Sequence, residues 1–432
     1  MKKLVSVICG IALIGLVSCG GNKAVLNVDI PDARSLSELL EPVDLSVQHH
    51  PATVEASQII AIPEGKRVAF GWQVAAIPAP GQGSLTLHFE DVPLKANPPR
   101  LRITVALDDQ EVKRIALIVP QSQRQIGTFD IRYAFTTQIF ELVLTPEDTQ
   151  TVISEGVELR MEQGSTPLYI FSGSSETVDL PGPYRPHLML SENTDPLEQF
   201  KKRMLSLDSI TLFGWMEGCV LDGIYDLQAL VPREKAQEVA RRHLDLFFDE
   251  TNNLRYENFH NEPVDKDITT VEATLPFAVL AKLNPQHPVM NQVVAYWKSH
   301  TDGRGAIKDG DLLTTEGCYT VAYPLAVAGE RLQRLDLDEQ ALAQLIYRKN
   351  MLVDPYSIYQ RRRGTGIPEY QSWSRGAAWY SLGLCRSLIE LKDDFIVDEL
   401  CKGNENDGKL SGGPPATRRL VELFFTGTGY HT

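Results

Sequence analysis

The segment SWSRGAAWYSLGL, residues 372–384, sets Arg375 between Trp373 and Trp379 where an apolar helical pattern begins. A guanidinium meets a carboxylate through two parallel hydrogen bonds, and indoles pack against flat rings and sugar faces. These three side chains could hold a carboxylated ring. They could equally be structural, with Arg375 bonded to loop carbonyls and the tryptophans filling a core. Residue types and spacing leave both readings open.

Other groups able to do chemistry are sparse. Thr269-Thr270-Val271-Glu272 has the form of a capping box, with Thr269 as cap and Glu272 reaching back. That leaves the nearby Asp267 free of capping duty. Asp222 and Asp226, four apart on one helix, read as a solvated edge, and Tyr225 and the loop residue His260 are lesser candidates. No acidic loop has calcium-loop spacing, and the cysteines form neither CxxC nor a Cys/His cluster. No metal and no cofactor is expected.

A scaffold to position such residues begins near Asp195. DPLEQFKKRMLSL, WMEGCVLDGIYDLQAL, REKAQEVARRHLDLFF, TVEATLPFAVLAKL, PVMNQVVAYWKSH, EGCYTVAYPLAVAGERL, DEQALAQLIYRKN and SRGAAWYSLGLCRSLIEL all place apolar residues at three- and four-residue steps. Short Pro-marked connections alternate with long loops rich in Gly, Asp and aromatics, which predicts a helical ring with its chemistry on one rim. No constant repeat period supports an open solenoid, so a closed α/α toroid is the expected fold.

Before that point the chain is strand-like. VAFGWQVA, LTLHFEDV, LRITVAL, IFELVLT, LRMEQ and PLYIF, broken by Pro and Gly, predict an antiparallel β-sandwich over residues 24–180. It shows no cluster of catalytic residue types. LPGPYRPHLML reads as the linker to the helical part, residues 195–432.

MKKLVSVICGIALIGLVSCGG opens basic, runs apolar and ends in Leu16-Val17-Ser18-Cys19. This predicts a secretory signal over residues 1–18 and lipidation of Cys19. Acyl chains on Cys19 would tether the protein to the membrane of a bacterial cell envelope, with the outer membrane as the expected location. The chain's 432 residues suffice for two domains. A net charge of −14, with Arg361-Arg362-Arg363 the only basic run, argues against a nucleic-acid partner. Cys219, Cys318 and Cys385 lie in apolar helical patterns and read as buried thiols, and Cys401 stands apart from them.

In this order the helical motifs resemble the unsaturated glucuronyl and rhamnogalacturonyl hydrolases, glycoside hydrolase families 88 and 105. WMEGCVLDGIYDL is similar to the family's opening helix, with Trp215 and Gly218 at matching places. DITTVEATLPFAVLAKL is similar to the helix that starts with a family aspartate, here Asp267. GAIKDGDLLTTEGCYTVAYPLA is similar to the segment bearing the family's acid/base aspartate, here Glu316. SWSRGAAWYSLGL is similar to the family's Trp-Gly-Arg-Gly-Asn-Gly-Trp element. The similarity covers about residues 195–391.

The resemblance implies an (α/α)6 toroid acting on oligosaccharides that end in a 4,5-unsaturated uronic acid. An acid protonates C4, water adds at C5, and the hemiketal opens to release the rest of the chain. Asp267 and Glu316 would be the catalytic pair, with one pKa raised by burial or by its partner. Trp215, Trp373, Arg375, Trp379 and Gln360 would bind substrate. Three departures favour a second expectation, an inactive lipoprotein that binds glycans or partners. Glu316 replaces an aspartate, displacing its carboxylate by about 1.5 Å. Tyr359-Gln360-Arg361-Arg362-Arg363 stands where the family has a histidine-bearing stretch. The residues after Leu391 carry little helical pattern, so an open, association-prone ring is expected.

Overall fold

The structure, a computed structural model, describes residues 46–93, 99–192, 196–354 and 356–391. The expected signal, Cys19, Cys401 and the stretch after Leu391 lie outside the described residues.

The first part is built of antiparallel strands β1 (Ser46–Pro51), β2 (Thr53–Ala56), β3 (Gln73–Ile77), β4 (Leu85–His88), β5 (Arg100–Thr104), β6 (Asp109–Ile118), β7 (Gln125–Ala134) and β8 (Ile139–Val143). Helix α1 (Pro146–Glu155) follows, then β9 (Val157–Gln163), β10 (Leu168–Gly173) and β11 (His187–Glu192). One sheet runs β1-β11-β5-β8, a second β2-β4-β9-β6-β7, and β3 pairs with β10. Leu85, Leu87, Ile115, Leu117 and Leu159 of the second sheet join Leu101, Ile103, Leu188 and Leu190 of the first in one buried cluster. Alternation explains this, since every second side chain of a strand faces the same side.

The expected linker is instead part of the sheet and core. Gly182–Tyr184 forms a short 3-10 turn, and β11 pairs along β1 from Ser46 to Pro51. Tyr184 is buried, with its hydroxyl bonded to the Ile210 carbonyl. The prolines fix turn geometry at the strand's edge, where no ladder donor is lost.

All eight expected helical segments contain helix: α2 (Pro196–Met204), α3 (Trp215–Asp226), α4 (Arg233–Asp245), α5 (Pro276–Leu283), α6 (Val289–Ser299), α7 (Tyr323–Leu332), α8 (Leu335–Leu352) and α9 (Ser374–Glu390). Helices α3, α5, α7 and α9 form an inner row, each packed on the next, and α4, α6 and α8 back them. Helices α5 and α7 are buried nearly all round, which is why their sequences are apolar on every face. Strands β12 (Arg255–Glu257) and β13 (Pro263–Asp265) pair in the loop after α4. Strands β14 (Leu312–Thr314), β15 (Tyr359–Arg363) and β16 (Glu369–Gln371) form a small sheet beside α9.

A second buried cluster joins the sheets to the helices. Trp72 and Phe171 cross edge-to-face at 5.2 Å, and Phe70 meets Phe247 of the helical part at 5.3 Å. Arg67 grips Glu257 and, through two bonds of 2.9 and 3.0 Å, Asp265. Buried Asn261 accepts from the Asp108 amide and the Thr136 hydroxyl, each at 2.7 Å. The β12–β13 loop is thus clamped to the sheets.

Candidate active site

A cleft of about 350 Å³ opens beside α3 and α9, lined by Trp215, Glu272, Glu316, Thr320, Arg375 and Trp379. Trp215 begins α3 directly after Gly214, whose φ of 117° favours glycine. Trp379 lies on the second turn of α9, and the two indoles meet edge-to-face at 5.6 Å. They form an aromatic wall. A neighbouring hollow of about 320 Å³ shares Trp215 and Glu272 and extends towards Phe213, Asn258 and Phe259.

Glu316 is buried at the cleft and stands just before a π-helical turn, Cys318–Ala322, that leads into α7. Such turns rotate a helix's register locally and recur at functional sites. Helix α9 approaches this turn closely because Gly383 lacks a side chain: a Cβ there would sit 2.2 Å from the Cys318 carbonyl carbon. Arg348, fully buried, donates to the carbonyls of Thr314 (3.0 Å) and Ile307 (2.8 Å) and fixes the strand that delivers Glu316. The Glu316 carboxylate accepts from Gln360 Nε2 at 2.8 Å and from the Thr315 hydroxyl at 3.3 Å, and lies 3.9 Å from Arg375 Nε.

Glu272 is the second carboxyl of the cleft, and the capping reading had hidden it. No side chain within the Thr269–Glu272 segment caps its own short helix. The Val271 amide donates instead to the carboxylate of Asp309, at 3.0 and 3.3 Å, so a residue distant in sequence takes the cap role. Glu272 is released to face the cleft. Burial pushes its carboxyl up to about 7, the negative charges of Glu316 and Asp309 add to the shift, and Arg375 opposes it.

Not every expected site residue arrives there. Trp215, Glu316, Arg375 and Trp379 line the cleft, and Gln360 touches it through Glu316. Asp267 does not: it is exposed, its carboxylate accepts the Ile268 amide at 2.8 Å, and Glu272 occupies the place expected of it. Trp373 stands just before α9 without lining the cleft and is 46 % exposed, 5.9 Å from the Tyr370 ring.

Among the lesser candidates, His260 does not line the cleft and bonds Asp108 of the β part at 3.0 Å. Tyr225 packs under Lys282, whose ammonium is 4.9 Å from its ring centre. Asp222 is not a solvated edge: it is buried, accepts from Tyr319 and Tyr323 at 2.6 Å each, and pairs with Arg386 at 3.0 Å. Only Asp226 of that pair is exposed. Of the helical cysteines, Cys318 is fully buried and Cys219 and Cys385 are partly so.

No protein-family profile and no curated protein matches this sequence. Solved structures do. A possible member of the GH105 family from Salmonella enterica is 17 % identical, with 49 % of this chain and 53 % of that one covered at a TM-score of 0.36. A possible GH105 member from Klebsiella pneumoniae is 15 % identical over 58 % of this chain and 68 % of that one, TM-score 0.39. An unsaturated glucuronyl hydrolase specific for heparin is 12 % identical over 48 % and 65 %, TM-score 0.33. This chain spans about half of the Salmonella protein's length.

Proposed function

We propose that the protein is a glycoside hydrolase that hydrates the 4,5 double bond of a terminal unsaturated uronic acid, using Glu272 and Glu316. The observation that carries this reading is the Glu272 carboxyl, pushed up to about 7 in a cleft it shares with Glu316, Arg375 and two tryptophans. A carboxylic acid that keeps its proton near neutrality beside a second carboxylate is what acid–base addition of water needs.

The ring packs against Trp215 or Trp379, and its carboxylate pairs with Arg375, whose guanidinium is largely exposed to the cleft mouth. Glu272 gives its proton to C4. Water bonds to C5 and loses its proton to the Glu316 carboxylate, held in place by Gln360 and Thr315. The hemiketal so formed opens to a C5 ketone, the hemiacetal left at C1 expels the alcohol of the next sugar, and the two carboxyls re-equilibrate their proton. One water is consumed per bond cleaved. The two rows of helices are consistent with the (α/α)6 toroid of the resembled families, and the lipobox supports a tether through Cys19.

The test is to mix the purified protein with unsaturated uronyl disaccharides and follow the absorbance of the conjugated double bond. Steady loss of absorbance supports the reading. Tight binding of the disaccharide without any loss points instead to a glycan-binding protein built on the same cleft.

A further inference from the structure

The hairpin that carries Gln360 also carries a charge pattern opposite to that of the rest of the molecule. Residues 359–375 hold four arginines, Arg361, Arg362, Arg363 and Arg375, against one glutamate, Glu369, in a chain of net charge −14. Alternation along β15 turns Gln360 towards Glu316 and Arg361 to the other face, onto Glu369 at 2.7 Å. From there two ring contacts lead to the start of α9, beside the cleft. The Arg361 guanidinium lies 4.7 Å over the Tyr370 ring, Tyr370 meets Trp373 at 5.9 Å, and Arg375 follows two residues later at the cleft mouth. Tyr370 and Trp373 are each about half exposed. Among the described residues, Arg362 has no carboxylate within ion-pair distance, and Arg363 has only the exposed Asp311 at 3.8 Å.

We propose that Arg361, Tyr370 and Trp373 form a second saccharide subsite beside the cleft, selective for oligosaccharides that carry carboxylate or sulfate groups beyond the terminal ring. Aromatic faces take the sugar rings, and guanidiniums take their anions in the bidentate geometry that a planar fork allows. A neutral glycan would use only the aromatic faces. A single-stranded nucleic acid would also suit arginine and aromatics, but the strong negative charge elsewhere on the chain disfavours a long polyanion. This inference rests on reading the cleft as a saccharide site, and its test is a binding measurement that needs no turnover.

Calorimetric titrations of the full chain would use a saturated heparin-derived disaccharide and tetrasaccharide, a saturated galacturonate disaccharide and tetrasaccharide, cellotetraose and an oligothymidylate. The expected result is that at least one anionic tetrasaccharide binds more tightly than cellotetraose, with an affinity that falls as salt is raised. The double variant Arg361→Gln/Tyr370→Ser should lower the ratio of tetrasaccharide to disaccharide affinity about tenfold, as expected for loss of a charge-assisted contact and a ring face. Arg361→Lys, which keeps the charge and guards against misfolding, should lower it by about threefold. An unchanged ratio in the double variant, with a wild-type thermal melt, overturns the inference and leaves the cleft reading untouched. Tighter binding of the oligothymidylate overturns it in favour of nucleic acid. A wild-type protein that binds anionic tetrasaccharides through Arg361 but consumes no double bond supports the subsite and counts against the hydrolase reading alone.

Discussion

Gln360 donates its side-chain amide to Glu316 Oε1 at 2.8 Å, joining the small sheet beside α9 to the buried carboxylate of the cleft. In the sequence this residue stands in a stretch that departs from the resembled families, yet in the fold it holds the carboxylate that the proposed chemistry would use. Gln360→Ala should lower kcat on an unsaturated disaccharide by about ten- to a hundredfold, because a misplacement near 1 Å costs that much. KM and the circular dichroism spectrum should stay near wild type. A loss confined to KM would show that Gln360 touches substrate rather than positions Glu316.

The raised Glu272 carboxyl makes two pH statements that can be checked separately. As the proposed proton donor it would be active when protonated, so kcat/KM should fall about tenfold per pH unit above pH 7. For stability, the folded-state pKa lies above the ordinary value of 4.5, so the folded chain holds this proton more tightly than the unfolded chain. That contribution is fully present below pH 4.5 and is lost as pH rises through about 7. Glu272→Gln should therefore be near neutral in denaturant melts at pH 4 and stabilising by about 1–3 kcal/mol at pH 8. Equal effects at both values would mean that Glu272 is not held protonated in the fold.

Much of the helical part was legible in the sequence because its inner helices bury one face after another, leaving a three- and four-residue rhythm on every segment. The strands were less so. The long hairpin of β6 and β7 escaped notice, since LDDQEVKRIALIV mixes charged and apolar residues without clean alternation: Lys113 is fully buried, held by Asp109 and Glu111. Helix α1 carried a readable signal in Thr145, whose hydroxyl accepts the Asp148 amide as cap. In the cleft, the aromatic and arginine members followed from residue type and resemblance. Glu272 did not, because the local capping pattern explained it fully and the competing cap, Asp309, lies 38 residues beyond Val271. Asp222 was misjudged for a similar reason, as nothing local announces that two tyrosines a hundred residues away will close over it.

Asp222 binds Tyr319, Tyr323 and Arg386 in a buried cluster behind the cleft wall, and burial keeps both phenols protonated. Asp222→Ala would leave the Arg386 charge partly unpaired inside the protein, with only Asp226 at 2.6 Å to answer it. The expected cost is about 3–5 kcal/mol in urea denaturation. Tyr319 also packs on Trp379 at 5.3 Å, so KM should rise in whatever fraction remains folded. A change under 1 kcal/mol, the range of an exposed pair, would contradict the buried-hub description.

The lipobox makes a prediction independent of the cleft. Cys19→Ser should move the protein out of the membrane fraction or leave it unprocessed, because the acylated thiol is the proposed anchor. Fractionation identical to wild type would remove the tether from the account.

The central claim is that the working pair is Glu272 and Glu316, with Asp267 a bystander on the exposed loop. It is tested most directly by comparing Asp267→Asn, Glu272→Gln and Glu316→Gln for consumption of the double bond of an unsaturated uronyl disaccharide. The account predicts that either glutamine variant loses at least about a hundredfold in kcat, the usual scale for a positioned acid or base, while Asp267→Asn stays within about threefold of wild type. A large loss in Asp267→Asn together with near-normal turnover in Glu272→Gln would contradict it.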